Sequence, residues 1–195
     1  TGAILDADII FNGRDQRFSA EPRAGYVLLR DVAVHEVGHL LGLEHSPLSG
    51  PVATRPTMNP FYFGDGPGHG ATLEADDIAG VSVLYPTSAF PGSTGTIWGH
   101  VATAAGAGVF GAHVIAEDLM TGARYSTLSG AETGSRNRGA YTLRGLPTGE
   151  YRLTLAPVTG AVDESSFSGL FTGFDTEYPT EFYDNVDRPE HARPV

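Results

Sequence analysis

The sequence has no cysteine, and although twelve positions are basic, none is lysine: every one is arginine. The first absence excludes disulfides, a thiol nucleophile and thiolate metal sites, so any bound metal must be held by nitrogen and oxygen. The second, within a formal net charge of −11, leaves no basic cluster to neutralise phosphates and disfavours nucleic acid as a partner. No window approaches the roughly 18 uninterrupted apolar residues that would cross a bilayer. The start "TGAILDADII" lacks the basic and small-residue flanks of a signal peptide, and without an initiator Met the natural N-terminus, with any export signal, is expected upstream. What remains, 195 residues at 41% hydrophobic and 18% charged, is the composition of a soluble globular protein with one large core or two modest ones.

Composition shifts near Tyr85. Before it, "AILDADIIFN" (Ala3 to Asn12) is a strand candidate, followed by a polar loop and a helix expected from about Leu28 to Leu41. That helix is apolar on most of its circumference and is therefore expected to be buried. A second helical pattern runs from Leu73 to Tyr85, with Leu73, Ile78, Val81, Leu84 and Tyr85 at helix-like spacing. "PTSAFPGSTG" then reads as a linker. Beyond it, short alternating segments ("TIWGHV", "GAHVIAEDL", "ARYSTLSG", "GAYTLRGL", "EYRLTLAPV") are separated by turn signals such as Thr121-Gly122 and Thr148-Gly149, as in antiparallel sheets. The fold class expected is α+β, with residues 1–86 as one domain, 87–94 as linker and 95–195 as a β-sandwich. The aromatics Trp98, Tyr141, Tyr151, Phe167, Phe171, Phe174, Tyr178, Phe182 and Tyr183 are expected in the sandwich core.

The chemistry is concentrated in "VAVHEVGHLLGLEHS", Val32 to Ser46, where ionisable residues interrupt an apolar helix. Four residues apart, His35 and His39 project from one helical face and reach one cation. Glu36 falls beside such an ion rather than on it, within reach of a metal-activated water, and is the natural general base. Gly42 can take the left-handed conformation that ends a helix and turns the chain back, so that His45 approaches as third ligand. The donor set suits one catalytic Zn²⁺ with an open fourth position. For calcium, a second candidate ion, the sequence assigns no ligands. His69, His100, His113 and His191 have no partner spacing and are expected at the surface or in ordinary packing.

The eleven positions read HExxHxxGxxH, the zinc signature of metzincin metallopeptidases, and Ala3 to Tyr85 resembles the later part of a matrixin catalytic domain, its bacterial relatives especially. Ser46 is the matrixin choice after the third histidine. "PTMNPFY" resembles the Met-turn and the wall that follows it, which implies Met58 beneath the ligands and Pro60 and Tyr62 bordering the S1′ substrate pocket. "LEADDIAGVSVLY" resembles the closing helix, which implies that one of Asp76 and Asp77 braces the Met-turn. The resemblance implies a partial metzincin fold, a polypeptide substrate, and a secreted or extracellular bacterial protein. Two departures stand out: no histidine precedes His35 to hold the family's second, structural zinc, and there is room for only one of the strands that normally precede the helix. The segment from Gly95 to Val158, with Gly145 to Tyr151 as its most specific hairpin, resembles carboxypeptidase regulatory-like or collagen-adhesin B-type (prealbumin/Ig-like) sandwiches, which implies an accessory spacer or binding module.

The expected function is thus a zinc endopeptidase. One rival is a zincin whose third ligand is a glutamate from a later helix, against which Gly42 and His45 argue. The other is a binding protein that keeps zinc as structure, or a pseudo-peptidase, disfavoured by an intact Glu36 and favoured by the missing strands.

Overall fold

The computed structural model describes residues 4–51, 54–62, 69–130, 138–167 and 172–195. It mixes helix and sheet. Two short parallel strands, β1 (Phe18–Ser19) and β2 (Val27–Leu28), precede the helix α1 (Leu29–Leu40); α2 (Ala75–Leu84) and the single turn α3 (Phe90–Ser93) follow. Among the described residues six more strands follow: β3 (Thr94–His100), β4 (His113–Asp118), β5 (Arg124–Leu128), β6 (Ala140–Pro147), β7 (Tyr151–Ala156) and β8 (Glu181–Phe182).

No side chain caps the start of α1; instead the backbone N–H of Leu28, the residue before it, donates to the Tyr62 hydroxyl at 3.0 Å, and Asp31 places negative charge in the first turn, where the helix dipole favours it. Its end is tied down as well, since the Tyr85 hydroxyl donates to the Leu41 carbonyl at 3.1 Å. α2 begins with a reciprocal cap: the Glu74 side chain accepts from the backbone of Asp77, and the Asp77 carboxylate accepts the Glu74 N–H at 2.9 Å. Pro86 follows directly and cannot extend the helix.

Apart from the parallel β1-β2 pair, the described strands form two antiparallel sheets, β3-β6 and β5-β4-β7-β8. The β4–β5 hairpin is fixed by the buried Asp118, whose carboxylate accepts the N–H groups of Met120 (2.8 Å) and Thr121 (2.9 Å). Between the sheets lies the main core, with Val114, Ala116, Tyr125, Leu143, Leu146, Tyr151 and Leu153 in contact. Ala79 of α2 belongs to the same core, so the helix carrying the paired aspartates is seated on the sheets. A second cluster joins Leu128, Val158 and Phe167.

Three expectations need correction. Residues 4–12 form no strand, and Ile10 is 91% exposed; the strand-favouring residue types are there, but among the described residues no neighbour accepts the segment's hydrogen bonds. α1 is half-buried rather than buried, with Val37 and Leu29 exposed, because among the described residues no sheet covers its outer side. Trp98 is 78% exposed on β3, a strand that among the described residues pairs with β6 alone, and Tyr183 is exposed too. Of the other aromatics, Tyr151 and Phe167 are buried and Tyr141, Phe174, Tyr178 and Phe182 partly so, whereas Phe171 lies outside the described residues. The linker is not featureless, since α3 lies within it.

Candidate metal centre

Helical spacing places His35 and His39 on one face of α1, with Nε2 atoms 3.1 Å apart. The chain then leaves the helix through a Schellman turn. Leu43 N–H donates to the Gly38 carbonyl at 3.0 Å and Gly42 N–H to the His39 carbonyl at 2.9 Å, with Gly42 at φ +97°. This reversal returns His45 to the helix, its Nε2 3.2 Å from that of His35 and 3.1 Å from that of His39.

The three nitrogens form a nearly equilateral triangle with edges of 3.1–3.2 Å. A tetrahedral zinc held by nitrogens at about 2.0–2.1 Å needs edges of about 3.3–3.4 Å, so the preformed triangle is within about 0.3 Å of fitting. Proton placement makes the same point. His35 Nδ1 lies 2.7 Å from the Thr57 carbonyl oxygen, His39 Nδ1 lies 2.9 Å from that of Leu43, and His45 Nδ1 meets that of Ser166. A carbonyl only accepts, so each Nδ1 carries the proton and each Nε2 presents a bare lone pair. Three lone pairs converging at this distance repel one another, and a cation at their focus removes the repulsion. The residues fit a divalent N-donor metal such as zinc. Burial holds His35 below its usual pKa of 6.5, opposed by the Thr57 carbonyl and reinforced by charge on His39 and His45, which favours the neutral, ligating ring.

The support beneath the triangle is continuous. Met58 is 3% exposed and its thioether rests on Gly38, the residue before His39; a Cβ there would come within 2.2 Å of the sulfur. Asp77, also buried, accepts the N–H groups of Thr57 (2.9 Å) and Met58 (3.1 Å) on separate oxygens, and thereby fixes the carbonyl that orients His35. Ser46 N–H donates to the Met58 carbonyl at 2.8 Å. Asp76 turns instead toward the sheets: it accepts the Ser46 hydroxyl (2.6 Å) and the backbone N–H of Ser126 on β5 (2.7 Å), and burial pushes its pKa up to about 6.

Glu36 is half-buried beside His35, near enough for its charge to favour that ring's proton. Pro60 is half-buried, and Tyr62 is exposed; with Arg23, Tyr26 and Leu28 it lines a cleft at the start of α1. His100 and His191 are exposed, and His113 is buried in β4, where burial pushes its pKa down to about 3. Among the described residues none of these three joins the cluster. The His69 side chain lies outside the described residues.

Gly38, Thr57, Ser126 and Ser166 escaped sequence reasoning. Gly38 left a trace, a glycine inside a helix between two ligand positions. The others act mainly through backbone atoms, which every residue has.

Residues 2–86 match the family model described as matrixin. A plant protein, the metalloendoproteinase 4-MMP of Arabidopsis thaliana, is 39% identical over 71 residues, which cover 36% of this chain and 19% of that protein. The chain thus spans about a fifth of the length of this curated relative. No solved structure matches. The spacing of the histidines, the turn at Gly42 and the family match agree, and residues 2–86 are similar to part of a matrixin catalytic domain.

Proposed function

We propose that this chain contributes the catalytic centre of a secreted zinc endopeptidase, with residues 1–86 as the catalytic part, 87–94 as connection and 95–195 as a β-sandwich. The observation that carries the reading is the convergence of three Nε2 lone pairs whose Nδ1 protons are all committed to carbonyls. His35, His39 and His45 would hold the zinc. When bound, zinc supplies a Lewis acid that lowers the pKa of water to about 7 and polarises a peptide carbonyl. Glu36 takes the proton of the attacking water on its carboxylate and delivers it to the nitrogen of the departing amine, so that water adds across the C–N bond. Met58 and Asp77 keep the ligands in place, and Gly42 makes the turn. Pro60 and Tyr62 border the substrate, and the two sheets around one core support the sandwich reading.

The rival is a binding module that keeps the metal as structure. Hydrolysis of a peptide library by the zinc-loaded chain, with Glu36→Ala beside it, separates the two. The peptidase predicts turnover that falls by about 10²–10⁴-fold in the variant at unchanged zinc content. Zinc-loaded protein that never cleaves identifies the binder.

A further inference from the structure

Each ligand histidine is oriented by a backbone carbonyl, and the three carbonyls have different origins. That of Leu43 is local to the turn, that of Thr57 is braced by Asp77, and that of Ser166 comes from 121 positions beyond His45, in the half of the chain outside the matrixin match. His45 sits in a stretch without regular structure, where its own backbone N–H donates to the adjacent Glu44 side chain. Its neighbour Ser46 ties the main chain to Met58, but that bond does not fix the angle of the imidazole. The ring's tautomer and rotation depend on what Nδ1 meets.

Ser166 is held from both sides. It ends a 3-10 turn, Glu164–Ser166, capped by Asp163, whose carboxylate accepts the Ser165 N–H (2.9 Å) and the Ser165 hydroxyl (2.6 Å). Glu164 in turn accepts the Phe174 N–H at 2.9 Å. On the other side Phe167 is buried against Leu128 at the end of β5 and Val158. Phe167 also lines a cavity of about 340 Å³ together with His45, Met58 and Tyr125, so this segment and the third ligand share one wall between the two halves.

We infer that the 163–167 segment is part of the metal centre: the Ser166 carbonyl sets the tautomer and orientation of His45, and Asp163 and Phe167 are positioning residues that act through it. The inference rests on the zinc-site reading above. It gives the second half a role in metal affinity, where the sequence implied only a spacer or binding module.

The test uses the full chain and reads metal rather than turnover: zinc affinity by competition with a chromophoric chelator, and the visible absorption of the Co²⁺-loaded protein. Asp163→Ala removes the cap, Asp163→Asn keeps an acceptor, and Asp118→Ala removes a comparable pair of carboxylate-to-backbone bonds in the β4–β5 hairpin, neither of which involves a ligand histidine or residues 163–167. We expect Asp163→Ala to weaken zinc binding about 10- to 100-fold and to change the Co²⁺ bands. Asp163→Asn restores affinity to within about threefold, because Asn and Asp cap comparably. Asp118→Ala lowers Tm without moving affinity. Wild-type affinity in Asp163→Ala, or equal weakening in Asp118→Ala, overturns the inference while leaving the zinc site standing. A wild-type chain that binds no zinc overturns the zinc site, and this inference with it.

Discussion

Gly38 sits in the last turn of α1, where glycine costs at most about 1 kcal/mol relative to alanine. Propensity alone therefore says that Gly38→Ala stabilises the protein. The packing says the reverse. The new Cβ would stand 2.2 Å from the Met58 sulfur and 3.2 Å from its methyl carbon, against roughly 3.5–4.0 Å for an unstrained contact. The sulfur must retreat by more than about 1 Å. Met58 has little freedom to do so: it is buried, its N–H is held by Asp77 at 3.1 Å and its carbonyl by Ser46 at 2.8 Å. Relief must come from an off-rotamer side chain or a displaced α1. Overpacking of this kind costs about 1–3 kcal/mol, which outweighs the gain in helix propensity and leaves a net loss of roughly 0.5–2 kcal/mol. For a chain of this size that lowers Tm by about 2–6 °C. Thermal unfolding of the metal-free chain measures it, and a double-mutant cycle isolates the cause. With Met58→Ala in the background the obstacle is gone, and Gly38→Ala becomes neutral or stabilising, a coupling of about 1 kcal/mol or more. A raised Tm in the wild-type background with no coupling refutes the argument.

Asp77→Ala strands the N–H groups of Thr57, Met58 and Glu74, and chemical denaturation should show a loss of about 3 kcal/mol or more, with weaker zinc binding because the Thr57 carbonyl is released from its brace. Gly42→Ala forces a side chain into the left-handed region at φ +97°, at a cost of about 1–2 kcal/mol; Gly42→Asn should lose less stability, which urea titration resolves. The Asp76 carboxyl, raised from 3.8 to about 6 by burial, binds its proton more tightly folded than unfolded, so its contribution to stability is full below about pH 4 and is lost as pH rises through 6. Asp76→Asn, which still offers one acceptor and one donor to Ser126 and Ser46, should flatten that part of the Tm-against-pH curve; an unchanged slope between pH 4 and 6 counts against the assignment.

The parts of the site legible in the sequence are those that local geometry fixes. Helical period alone puts His35 beside His39, and residue type alone lets Gly42 turn left-handed. β4 to β7 were legible for a similar reason, because each strand is bounded by its own turn. Strand character is different where it needs a partner: residues 4–12 carry Ile4, Ile9, Ile10 and Phe11, residue types that favour strands, but among the described residues they find no neighbour, whereas β3 pairs with β6. Trp98 shows the companion difficulty, since alternation assigns side chains to two faces without saying which face is covered. The paired aspartates mark the limit inside the site. Successive residues on a helix point about 100° apart, so Asp76 and Asp77 cannot serve one target, and which of them braces the Met-turn depends on how α2 is rolled against the sheets.

That roll is where the two halves of the chain meet energetically. α1 has only 12 residues, is half exposed and lacks a side-chain N-cap, and a helix of that length is marginal on its own. It is pinned from outside at its start by Tyr62, at its middle by Thr57 on His35, in its last turn by Met58 under Gly38, and at its end by Tyr85. The middle and end pins trace back to α2, through Asp77 and through Tyr85 at its C-terminus. α2 is itself held by Ala79 in the sheet core and by Asp76 on Ser126. The rigidity of the two helical histidines therefore originates in packing between the sheets and is relayed through one helix, which explains how a short, solvent-facing α1 can hold two imidazoles to the tolerance that a tetrahedral ion demands.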